Sequence, residues 1–545
     1  MKYLCLALTC LVFLIACSEG ENLQTSEIRF RNNMKTLASD EFEGRKPATR
    51  GGKKTTQYIE AQFKLAGLQP GNGKSFQQAV DLVEINTEFS DISVAQAERS
   101  MPITHGNELV SYSRRPISNI SVDRSNIVFV GYGVVAPEYD WNDYQGIDVK
   151  GKTVIMLSND PGYLSPTKEH FLGKGITYYA KDSYKYEEAE RQGAKAAFII
   201  HDPRLMSSDW PSHVQEHNKK RSILAATRAG DLAVQGYISA KYTSELMAIS
   251  GWDYARETQH ALNSTYIPKF LDASISIKLK SSLKHSTSHN IVGLIPGKES
   301  PDETIIYLAH WDHLGKDDNL KGDKIYNGAR DNAAGIASII ELAHLFKATN
   351  NLKRSVVIMA VSAEESGLLG SYHYVQNPLF PLAKTVGAIN LDMMNLNGET
   401  SDVLVHGINN SPLMDAAIKE AIENKQGRTA TPFGRLEAGI AYRNDGFSFN
   451  RSGIPTIGLA SGSNHIVKGQ EWMDAQADDY FQNRYHQVKD EYSENFDVSG
   501  ALLDIKSLYL IGIELSKSKK FAQWYDGKEF KYLRDDQLEI FDTNN

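Results

Sequence analysis

The residues with chemistry in them lie in Leu308–Asn332, LAHWDHLGKDDNLKGDKIYNGARDN, and in three shorter pieces downstream, AVSAEESG, INLDMMN and RYHQVKD. Together they offer His310, Asp331, Glu364, Glu365, Asp392 and His486, with Asp312 two residues after His310. Imidazole and carboxylate are ligands that zinc takes, and a catalytic zinc site keeps a position for water. Two ions about 3.5–4 Å apart clamp the oxygens of a displacement. Such a pair needs a bridging carboxylate, terminal ligands on each ion and a separate carboxylate base. Two histidines and four carboxylates meet that need, and Asp312 is placed to orient the His310 imidazole from behind. Taken singly, each residue has a plainer use. An Asp at a strand end is a turn or a helix cap, and Asp331 before a helix reads as an N-cap. His313, His344, His373 and His406 are read as packing residues. His465, in the SGSNH loop, is the rival for the place given to His486.

The elements that must position these residues are legible. TIIYLA precedes His310, SVVIMAVSA precedes Glu364 and TVGAIN precedes Asp392. Short β-branched apolar runs of this kind are buried strands. Between two of them, Ile336, Ile339, Ile340, Ala343 and Phe346 recur at near-helical spacing over Asn332–Ala348. Alternation of strand and helix predicts an α/β fold, a mixed, mostly parallel central sheet flanked by helices. Ligands of such sheets bind beyond the carboxyl ends of the strands, where all these polar residues fall.

The pieces AHWDH, ARDNAAG, AEESG, NLDMMN and YHQ, in this order, resemble metallopeptidase family M28, the co-catalytic zinc aminopeptidases. The resemblance implies two Zn2+ per chain, with His310 and Asp392 on one, Glu365 and His486 on the other, and Asp331 bridging. It implies Glu364 as general base, Tyr485 as donor to the developing oxyanion and Asp312 behind the ligands. It also implies a cis peptide at Asp331–Asn332. The substrates would be peptides, cut at the first peptide bond, since the carboxylates suit a free N-terminal ammonium. Carboxypeptidases and other two-zinc hydrolases share the pattern; a one-zinc cyclase or a receptor-like member without activity fits the full ligand set poorly. One departure stands at Asn444-Asp445-Gly446, where the family has Ser-Asp-His; Asp445 is either a support of the site or a helix cap. Arg435 and Arg443 are candidates for contact with a substrate carboxylate or carbonyl.

At 545 residues the chain is long enough for more than one domain. Its 41% hydrophobic and 23% charged residues are ordinary for a globular protein, and a net charge of −8 argues against nucleic acid or an anionic membrane surface as partner. All three cysteines, Cys5, Cys10 and Cys17, fall in the opening MKYLCLALTCLVFLIAC. That stretch reads as a secretory signal at 1–17, too short to span a membrane. Leu14–Cys17 resembles a bacterial lipobox, which implies lipidation of Cys17 and attachment to the cell envelope, in Gram-negative bacteria at the outer membrane. A tether at 18–26 follows, and 27–124 is read as the N-terminal part of the catalytic domain, helical to about Leu82 with Ala38, Phe42, Tyr58, Ile59, Phe63 and Leu65 inward. PEYDWNDYQGIDVKGK and YKYEEAERQGAKAAFIIHD resemble a protease-associated (PA) domain, a β-rich α/β insert, placed at 125–268. The catalytic domain then runs over 269–520, with a tail at 521–545. Oligomeric state is not legible.

Overall fold

The computed structural model describes residues 24–543 apart from 97–98, 166–170, 207, 227–229, 231 and 435. Residues 1–17, read from the sequence as a signal and including Cys17, lie outside the described residues, as does Arg435.

The architecture is mixed α/β, built on one continuous sheet. On one side the order is Thr429–Pro432, Asp402–His406, Thr456–Ala460, Thr385–Asn390, Ser300–His310, Arg354–Val361. The last four of these strands run parallel to one another. Their side chains alternate between two cores: Ile305, Tyr307 and Ala309 face one, Ile306 and Leu308 the other. A strand buried on both faces reads as a continuous apolar run, which is why these strands were legible. Helices Glu27–Leu37, Arg50–Leu65, Ala334–Ala348 and Ser499–Lys517 cover the first face. Leu369–Gln376 and Gly446–Asn450 cover the second.

A strand of 27 residues, Lys269–Ile295, carries the sheet into a second unit. Its end pairs with Arg354–Val361 and its beginning with Asn119–Phe129, both antiparallel. Along its length it pairs with the 20-residue strand Gln77–Gln96. Beyond it lie the parallel strands Asn119–Phe129, Thr153–Leu157, Ala196–His201 and Val234–Ser239.

Three expectations need correction. The helical stretch ends at Leu65 rather than near Leu82, and Gln77–Gln96 is one long strand. Leu65 is 74% exposed; the helix buries Ile59 and Phe63 instead. The boundaries at 125 and 269 do not divide the cores. Ile92, Val94, Ile103, Leu109, Ile120 and Val122 pack into the second unit's core, as do Leu271, Ile275, Ile277 and Leu279. The two long strands cross from one core to the other, and alternation along a strand does not tell which core its inner face meets.

The tail from Phe521 packs into the protein. Trp524 and Phe530 are buried, and Arg534 donates to the carbonyls of Ala522, Leu382 and Thr385. Tyr178 of the second unit joins that cluster, 5.8 Å from Phe447 and 5.1 Å from Phe530.

Candidate active site

His310 ends its strand, and Glu364 and Asp392 follow the ends of the neighbouring strands, so the sheet delivers all three to one edge. Asp331 and His486 arrive on loops. The loop carrying Asp331 is fixed by Asp490, whose carboxylate accepts from the backbone N–H of Arg330 (3.1 Å) and of Asp331 (3.0 Å) and from the Tyr480 hydroxyl (3.2 Å). The Asp331–Asn332 peptide is cis. Buried Asn332 then ties this loop to the neighbouring strand, donating to Leu391 O at 3.0 Å. Ala363, Met393 and His486 have positive φ of 57°, 53° and 57°. Non-glycine residues held there are strained, and such strain gathers at functional sites.

The six residues converge. His310 Nε2 lies 3.3 Å from Asp331 Oδ1 and 3.4 Å from Asp392 Oδ1. His486 Nε2 lies 3.2 Å from Asp331 Oδ2 and 3.1 Å from Glu365 Oε2. Asp331 thus turns one oxygen to each histidine. A tetrahedral zinc with ligands at about 2.0–2.1 Å sets ligand atoms about 3.3 Å apart. Asp392 Oδ1 is buried with no hydrogen-bond partner of its own. The distances and this orphaned oxygen fit ligands aimed at a common cation rather than at one another. His310, Asp331 and Asp392 offer ligand atoms within 4.8 Å of one another, and so do His313, Asp331 and Glu365.

The electrostatics carry the same signature. Burial disfavours the His310 imidazolium, yet Glu364, Asp331 and Asp392 outweigh it and hold its pKa well above the usual value. His486 is opposed by burial and raised to about 10 by Asp331 and Glu365. Burial and the nearby acids Asp445, Glu365 and Asp392 hold Glu364 well above the carboxylate range. Negative charge crowds this pocket beyond what two histidines offset. Glu364 and Tyr485 line the same cavity of 420 Å³. The Tyr485 ring stacks on His486 at 3.9 Å, and burial next to the carboxylates keeps its hydroxyl protonated.

Other residues stand where the sequence did not put them. Asp312 does not reach the His310 ring with its carboxylate: His310 Nδ1 faces its backbone carbonyl at 3.1 Å. The carboxylate accepts instead from the backbone N–H of Glu364 (3.1 Å) and Glu365 (3.4 Å), and burial pushes it up to about 7. His313 is no mere packing residue, since its Nδ1 sits 2.7 Å from Glu365 Oε1. That is a hydrogen-bond distance, so it orients Glu365; its place three residues after His310 was the available signal. His465 is elsewhere, its Nδ1 accepting from the backbone of Val467 and Lys468. Asp445 is buried without capping Gly446–Asn450 through its side chain; burial raises it to about 6, near His310 and Asp392. Arg45, from the SDEFEGR run, is fully buried and donates to the carbonyls of Trp311, Leu37, Asn327 and Gly328. It clamps the two loops that bear His310 and Asp331.

Residues 290–505 match the model of peptidase family M28. A glutamate carboxypeptidase 2 homolog of Caenorhabditis elegans is 26% identical over 63% of this chain and 46% of its own length. Aminopeptidase YwaD of Bacillus subtilis is 26% identical over 50% and 47%. The chain thus spans just under half the length of these curated relatives. Among solved structures, the aminopeptidase from Aneurinibacillus sp. strain AM-1 aligns over 93% of this chain and 96% of its own, at 18% identity and TM-score 0.48. The zinc aminopeptidase BSAP from Bacillus subtilis aligns over 89% and 95%, at 18% identity and TM-score 0.40. All of the converging residues lie inside the segment that matches peptidase family M28.

Proposed function

We propose that the chain is a zinc-dependent aminopeptidase holding two zinc ions. Asp331 would bridge them, with His310 and Asp392 on one and Glu365 and His486 on the other. The observation that carries this is the set of nitrogen–oxygen separations of 3.1–3.4 Å around Asp331, close to the ligand spacing of zinc. A zinc pair so held supplies Lewis acidity and a water acidic enough to attack at neutral pH. Glu364, not needed as a ligand, takes the proton of the attacking water and returns it to the leaving amine. Tyr485 keeps its proton and donates a hydrogen bond to the carbonyl oxygen as charge develops there. Asp312 sets the backbone that aims Glu364 and Glu365, and His313 fixes the Glu365 carboxylate.

The test is cleavage of one short peptide with a free and with an acetylated N-terminus by the zinc-loaded chain. Release of the first residue from the free form alone is expected. Cleavage of the acetylated form would move the activity toward the carboxypeptidases named among the relatives. Two further readings rest on the sequence. Lipidation of Cys17 follows from Leu14–Cys17 and is tested by fatty-acid labelling, lost in Cys17→Ser. A PA-like role of the second unit, a lid or substrate selector, follows from its two motif stretches; its removal would then change peptide selectivity before it changes turnover.

A further inference from the structure

Arg330, one residue before Asp331, is a half-buried cation the site does not use. Its guanidinium has five N–H donors. Among the described residues one acceptor serves them, Ser461 Oγ at 3.1 Å from Nη2. Its face lies 4.5 Å over the Tyr480 ring, and its Nε is buried with no partner. No carboxylate lies within ion-pair distance of it among the described residues; Asp490, packed against the loop, spends its oxygens on backbone N–H groups and on Tyr480.

The fully buried arginines among the described residues are treated differently. Arg354 pairs with Glu303 and Arg428 with Asp504, while Arg45 and Arg534 are surrounded by carbonyls. Leaving a charge with an enclosed, unpartnered N–H uncompensated is costly, so the unmatched Arg330 points to an anion that arrives from outside. Arg330 lines the same cavity as His310, Asp331, Glu364 and Asp392. Exposed Arg443 lines it too, but water screens an exposed cation.

We propose that Arg330 is a carboxylate receptor in the substrate cleft, so that the preferred substrates are short peptides bearing a carboxylate close to the bond that is cut. The proposal rests on the peptidase reading for its substrate class. The recognition itself is a planar fork meeting a carboxylate, held against Tyr480 so that little freedom is lost on binding. Two sources carry this group: the terminal carboxylate of a dipeptide and the side chain of an N-terminal Glu.

The experiment compares the zinc-loaded full chain with its Arg330→Gln and Arg330→Lys variants on matched pairs. Leu-Gly against Leu-Gly amide reads the terminal carboxylate; Glu-p-nitroanilide against Gln-p-nitroanilide reads the side chain. Wild type should favour the acid of one pair in kcat/KM by about 10- to 100-fold, the size of a charge-assisted hydrogen bond. Arg330→Gln should bring that ratio near one, and Arg330→Lys should leave part of it. The pair that shows the effect names the source. A wild-type ratio near one in both pairs, or a ratio unmoved in Arg330→Gln, overturns the proposal. Because ratios are read, a general loss of activity does not imitate the result. Calorimetry with an uncleavable reduced-amide Leu-Gly and its amide gives the same comparison without turnover. If no peptide is cut yet binding still discriminates through Arg330, the peptidase reading fails and the receptor stands; without that discrimination the receptor fails too.

Discussion

The two halves of the sheet present the same feature and use it differently. In the second unit, acids also follow parallel strands: Asp160 comes after Thr153–Leu157 and Asp202 after Ala196–His201. Each is satisfied on the spot. Asp160 accepts from the Gly162 N–H at 3.0 Å and the Thr177 hydroxyl at 2.5 Å. Asp202 pairs with Arg204 at 2.5 Å and takes the Tyr254 hydroxyl at 2.8 Å. In the M28 segment the strand-end acids meet one another and two histidines, and Asp392 keeps an oxygen with no partner. A strand-end acid is therefore no sign of a site. What marks one is a group of acids that the fold leaves unsatisfied by design and aims at one point.

Substitutions sharpen that contrast. The largest effect is expected at Glu364. Glu364→Gln should cost about 10³-fold in kcat while leaving the bound metal unchanged, read by kinetics together with metal analysis. Wild-type turnover would remove Glu364 as the base. Arg45→Met comes next. It leaves several buried carbonyls around the His310 and Asp331 loops without a donor, which should cost about 3 kcal/mol of stability and weaken metal retention. Calorimetric melting in the presence of zinc and dialysis against a chelator measure the two losses.

The second unit should respond to pH instead. His213 and His217 pack ring to ring at 4.3 Å, and burial lowers them to about 4 and about 3. Both are depressed below the value near 6.5 expected in the unfolded chain. Above that pH they cost nothing. As pH falls from 6.5 toward 4, the unfolded chain takes protons that the fold refuses, and stability declines. From pH 7 to 5 the loss through His213 should be about 1–2 kcal/mol, and His213→Asn should make the melting-temperature profile shallower over that range while His217 keeps part of the slope. The smallest effect belongs to Asp202. Asp202→Asn should cost about 1 kcal/mol of stability and leave peptide cleavage within twofold, because its partners are local.

Much of the site could be read before the fold was known, because its ligands sit within a few residues of strand ends and the strands are apolar on both faces. The sequence shows that His310, Glu364 and Asp392 follow such runs. It does not show the contacts that make them work. Arg45 reaches Trp311 O across 266 positions of sequence, and Asp490 holds the Asp331 loop from 159 positions away. His313 looked like any histidine until Glu365 was placed beside it. The boundary between the units was misplaced for a related reason. Lys269–Ile295 and Gln77–Gln96 each pass from one core to another along their length. Pattern reports that a residue is inward; it does not report into which interior.

Metal stoichiometry tests the central claim most directly. The full chain, stripped with a chelator and dialysed against zinc, should take up two tightly bound ions, and Asp331→Asn should lose both together because each leans on that carboxylate. Uptake of a single ion by the wild type, or two ions retained by Asp331→Asn, would contradict the account of Asp331 as the bridge between His310 and His486.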